Sequence, residues 1–127
     1  MKNFKKLVLS LAIACSMGAV STTVMAEADA GRITYAPGKA IDLTLEKIQA
    51  AITAAEASDA PAVTELTKEA IDMSKEINAN DRVDVARSRA NLHLKKARSA
   101  GKVDDIKGAK EHLEMALKGF QDLKGML

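Results

Sequence analysis

His93 and His112 are the side chains with the most latent chemistry in this 127-residue chain. Neutral imidazole ligates Cu, Ni and Zn, so two rings at one height on neighbouring helices could share a divalent ion. The spacing allows it. A break in the periodic pattern centres near 101–102, with His93 about nine residues before it and His112 about ten after. If the chain folds back there, the two are level to within one residue, roughly 1.5 Å of helix rise. His93 stands beside the Ala90, Leu94, Ala97 seam, and His112 lies between Ala109 and Ala116. Glu111, Glu114 and Met115 are nearby candidates for further ligands, none placed by spacing alone. The alternative is two unrelated edge histidines, hydrogen-bonded to water or carboxylates. Two ligands make a weak, open site, whereas structural zinc takes four. The carboxylates also fit as solvent-facing partners of lysines along a helix, as with Glu65 or Glu69 and Lys68, or Lys110 and Glu114.

Other chemistry has few players. The chain has no Gly-rich phosphate loop, no Gly-x-Ser-x-Gly, no His-Glu-x-x-His and no Cys-x-x-Cys-His, so an enzyme is not expected. Haem held by His and Met would want a Met early in the first helix and a His near the end of the last. The first helical stretch has no Met and His112 lies mid-helix, which argues against haem; Met73, Met115 and Met126 are better read as core fillers.

The first 26 residues read differently from the rest. Lys2, Lys5 and Lys6 precede an apolar run at 7–20, and residues 21–26 end in Val24-Met25-Ala26. This is the pattern of a secretory signal peptide cleaved after Ala26, with a core too short to span a membrane, which takes about 20 apolar residues. The expected working protein is residues 27–127 in the bacterial periplasm, away from ATP and chromosomal DNA. Ala12-Ile13-Ala14-Cys15 leaves open a lipoprotein anchor at Cys15, the chain's one cysteine. With Cys15 in the signal, the mature domain has no thiol and no disulfide.

The precursor's net charge of +2 comes from 19 basic and 17 acidic residues; removing the three signal lysines leaves 16 against 17. That balance gives no argument for nucleic acid. Alanine, lysine, glutamate and leucine favour helix, and four stretches follow an extended leader at 27–39. Helix A (about 40–57) carries Ile41, Leu45, Ile48, Ile52 and Ala55; helix B (about 60–78) carries Val63, Leu66, Ala70, Met73 and Ile77. Helix C (about 82–100) has Val83, Ala86, Ala90, Leu94 and Ala97, with Gly101 as its C′ residue. Helix D (about 103–125) has Val103, Ile106, Ala109, Leu113, Ala116, Leu117 and Phe120, with Asp104 and Asp105 in its first turn. Asp59 and either Asn80 or Asp81 are expected N-caps.

At an offset of 42, residues 68–73 (KEAIDM) align with 110–115 (KEHLEM), and Ile52 and Ala55 with Leu94 and Ala97. Hairpins 40–78 and 82–125 therefore read as copies of one unit. Short links predict an all-α, antiparallel up-down-up-down four-helix bundle over 40–127. Residues 27–80 hold 5 basic and 10 acidic side chains, and residues 81–127 hold 11 and 7. Helix C alone carries Arg82, Arg87, Arg89, Lys95, Lys96 and Arg98. These fit a solvated face covering an alanine seam, attraction between hairpins, or a docking patch for an acidic partner or anionic lipid.

The tract 110–118 (KEHLEMALK), with 90–97 (ANLHLKKA), resembles the small metal-binding protein family of the bacterial periplasm. The resemblance covers about 40–123. It implies a four-helix protein that binds divalent metal, copper first and Ni or Zn next, and buffers it without catalysis. The family places His many times along each helix; here only His93 and His112 match, and Ala51 and Ala70 stand at the equivalent positions of the first hairpin.

Overall fold

Alanine-rich stretches with apolar residues every third or fourth position can fold only by pressing those stripes together, and the chain does so with four helices. A computed structural model describes residues 35–127. The signal segment, Cys15 and residues 27–34 of the leader lie outside the described residues. Helices α1 (Pro37–Glu56), α2 (Ala60–Ser74), α3 (Asp81–Lys102) and α4 (Ile106–Lys124) account for all regular structure among them, with no strand. Each helix packs on its neighbour in the chain and α1 packs on α4, closing a ring of four.

Helix ends follow local chemistry. Pro37 starts α1 three residues earlier than the apolar period predicts, because proline suits the first helical position, where its missing N–H is not needed. The tail of the leader, residues 37–39, is thus helical rather than extended. Asp59 accepts a hydrogen bond from Ala62 N at 3.2 Å, and Ser58 takes a positive φ of 58° to make the preceding turn. Asn80 caps α3 by accepting from Val83 N at 3.0 Å, and Asp105 caps α4 by accepting from Gly108 N at 3.0 Å.

Three boundaries differ from the sequence expectation. Helix α2 stops at Ser74 rather than near 78, yet Ile77 beyond it remains buried at 1% exposure, so the loop closes the core. Helix α3 runs on through Gly101, which is helical and buried instead of a C′ residue. A Cβ there would stand 2.7 Å from Thr64 Oγ1 and 3.3 Å from Val63 Cγ1, so glycine lets α3 approach α2. The left-handed position is Asp104, with φ 62°, which leaves Val103 outside α4 and 76% exposed.

Among the described residues, nine of the 21 buried hydrophobic side chains are alanine, so the helices must lie close to leave no void. Phe120, Ile41, Ile48, Leu94, Leu113 and Leu123 fill the remaining space. Thr44, Thr67 and Ser74 are also fully buried. The Thr44 hydroxyl donates to Ala40 O at 2.8 Å and the Ser74 hydroxyl to Ile71 O at 2.7 Å, while Thr67 Oγ1 has no partner among the described residues.

Candidate metal centre

His93 and His112 each sit one residue before a core anchor, Leu94 on α3 and Leu113 on α4, both 0% exposed. Burial of those leucines fixes the rotation of each helix, and the preceding imidazole then falls at the edge of the core, half-buried. About two turns beyond His112 the two helices come close: a Cβ on Gly119 would stand 2.8 Å from Ala90 Cβ.

The result brings the two predicted residues together. Their Nδ1 atoms stand 3.4 Å apart, with ring centroids 5.7 Å apart and planes inclined by 26°. At that separation one shared proton makes a long N–H···N hydrogen bond. With the proton on Nε2 of both rings, both Nδ1 lone pairs are free for a metal. For bonds of about 2.0–2.1 Å at the tetrahedral angle, two ligand nitrogens lie roughly 3.3–3.4 Å apart, which matches the observed edge.

The electrostatics favour the neutral ring. Burial holds His93 below its ordinary pKa of 6.5, the charge of His112 adds to this, and Lys96 adds less. Neutral imidazole is the ligating form. No group of three or more His, Cys, Asp and Glu side chains that could hold an ion forms among the described residues. Glu111 and Glu114 are exposed on α4, and Met115, one turn beyond His112, is 50% exposed. Met73 is half-buried on α2. Met126 lines a shallow open pocket of about 380 Å³ with Asp81, Arg82, Val85, Ala86 and Arg89.

The helix C cations divide. Arg82, Arg89, Lys95 and Lys96 are exposed, while Arg87 and Arg98 are half-buried, Arg87 lying 3.7 Å from Asp84 of its own helix. From α4, Lys110 stands 3.6 Å from Glu56 and Lys124 2.5 Å from Asp42, ion pairs that join the two halves. Lys110 thus reaches across to α1 rather than along its helix to Glu114, and Glu69 pairs with Lys47 at 2.6 Å rather than with Lys68.

One feature of this face escaped the sequence reading. Arg82, Val85, Arg89, Leu92 and Lys96 recur at steps of three and four, and all five are exposed. The same period that marks the core marks this outer row; it was legible once Val85 and Leu92 were left out of the buried stripe. No protein-family model matches the chain, and neither a curated protein nor a solved structure matches it.

Proposed function

We propose that this is a periplasmic, non-catalytic metal-binding protein of the small metal-binding type, delivered by a cleaved signal peptide, which holds a divalent transition metal between His93 and His112. The observation that carries the reading is the 3.4 Å approach of the two Nδ1 atoms across separate helices. Copper is the first choice. Divalent copper heads the affinity order for nitrogen ligands, Zn(II) suits the tetrahedral edge, and Ni(II), weaker than copper and drawn to square-planar surroundings, stands behind them. Buffering rather than structural binding follows from the ligand count: two imidazoles leave the remaining positions to water or an incoming donor, so the ion exchanges readily.

The same proposal includes an antiparallel up-down-up-down order built from two repeated hairpins. Two features support it. The links between α1 and α2 and between α3 and α4 are three residues each, residues 57–59 and 103–105. On α3 and α4, the earlier Ala90 faces the later Gly119, and His93 faces the earlier His112.

Titration of the purified protein with Cu, Ni and Zn salts, beside His93→Ala and His112→Ala, tests the assignment. The expected outcome is binding in the parent and at least a tenfold loss in either variant. Binding unchanged in both variants would sink the ligand assignment. A second reading, an interaction module with an acidic protein partner on α3, is favoured by the exposed Arg82, Arg89 and Lys96. A partner lost on Arg82→Glu plus Arg89→Glu would support it.

A further inference from the structure

The two imidazoles make half of a coordination sphere, and what lies around them suggests where the other half comes from. They are half-buried at the outer edge of the α3–α4 contact, so the sides of the rings away from the core are reachable from solvent. The nearest potential ligand types on α4, Glu111 and Glu114, form no cluster with them. Flanking the pair are two large apolar side chains left in water: Leu92, next to His93, is 51% exposed, and Met115, one turn from His112, is 50% exposed. A metal site open to solvent and rimmed by exposed leucine and methionine has the character of an interface waiting for its other side.

Resting on the metal-binding reading above, we infer that a second copy of this chain completes the site, so that one tetrahedral metal ion is held by His93 and His112 of each of two copies. Four imidazoles satisfy a zinc-type ion fully, which two cannot. The 3.4 Å edge is the separation each pair must present to such an ion. Closed two-fold symmetry makes the ligand sets equivalent, and only one surface patch has to be self-complementary. A two-fold axis parallel to the helices lays α3 of one copy on α4 of the other. The cations of α3, Arg89 and Lys96 among them, then stay apart from their symmetry mates, while Leu92 of each copy meets the Met115 side of the other. Metal occupancy would thereby set oligomeric state, and the protein would release its ion as it dissociates.

The experiment is sedimentation of the purified protein during titration with zinc ion alone, with metal per chain measured on the same samples. The expected result is a doubling of mass that saturates at half an equivalent of zinc per chain and reverses with a chelator. His93→Ala should remain a monomer. Leu92→Lys combined with Met115→Lys keeps both imidazoles but charges the rim; it should bind one zinc per chain, more weakly, at monomer mass. Zinc bound one to one by a parent that stays monomeric would overturn the bridged dimer and leave the metal-binding reading intact. No zinc bound at any concentration would overturn the bridged dimer, and copper and nickel unbound as well would overturn the metal-binding reading. A dimer that forms equally with and without metal, or equally in His93→Ala, would overturn the bridge, and one that forms equally in the lysine variant would overturn the apolar rim contact.

Discussion

At Thr67 a hydroxyl is wholly buried and has no hydrogen-bond partner among the described residues. Leaving such a group unsatisfied costs about 1–3 kcal/mol. Thr67→Val keeps the branched shape and removes the polar atom. We expect it to stabilise the fold by about 1 kcal/mol, seen as a thermal midpoint raised by roughly 4–8 °C for a domain of this size. A lower midpoint would mean that the hydroxyl has a partner. Neither Thr67 nor Thr44 was visible as a core residue in the sequence, because a pattern built on apolar types passes over hydroxyls, including one that satisfies itself locally. Thr44 does so by bonding to the carbonyl four residues back. The histidines were easier to find, since their heights follow from counting residues to the turn. The facing of their Nδ1 atoms was not, because it depends on side-chain torsions that only packing selects.

At the scale of the element, the α3–α4 contact decides whether the site exists. Gly119 faces Ala90 so closely that an added methyl would lie 2.8 Å from the Ala90 Cβ. Forcing it in costs about 1–3 kcal/mol, against a helix-propensity gain of at most about 1 kcal/mol. We therefore expect Gly119→Ala to destabilise by about 1 kcal/mol on balance and to weaken metal binding by parting the two imidazoles. Urea unfolding and a metal titration on one sample check both effects, and a variant as stable as the parent would show that the helices have room to spare. Helix existence was plain from periodicity, as was the cap Asp59, because a side-chain acceptor before an apolar run serves the free N–H groups of a first turn; between Asn80 and Asp81 only the structure chose Asn80. The ends were less plain. Gly101 looked like a terminator and is instead a close-packing position, since glycine serves both purposes and only the neighbouring helix distinguishes them.

For the molecule as a whole, the paired imidazoles tie stability to pH. His93 is held below 6.5 in the folded protein and returns to that value when unfolded. The unfolded chain therefore binds more protons in this window, and stability rises with pH across it. The contribution is fully present above about pH 6.5 and is lost as pH falls through the lower folded value. Urea midpoints measured from pH 5 to 8 should decline on the acid side, and the decline should shrink in His93→Gln. An equal decline in that variant would assign the effect to other groups. Metal affinity should fall over the same range, because the proton and the metal compete for the same lone pair.

The charge imbalance between the halves of the chain was evident from composition, but composition did not say which helix would answer the acids of α1. That role fell to Lys110 and Lys124 of α4, which pack beside α1, and not to the more basic α3. Sequence alone determined the four helices and most of the apolar stripes that meet between them, because burial of an apolar stripe is a local consequence of a 3.6-residue period, while Val103, placed in a stripe by its spacing, is exposed. It also determined that His93 and His112 would stand near one height. Tertiary structure alone decided which polar groups were buried, which cations stayed in water and that the two rings would touch. Those outcomes depend on helix rotation and on separations of a few ångströms, and these are set by the neighbouring helix rather than by the order of residues along the chain.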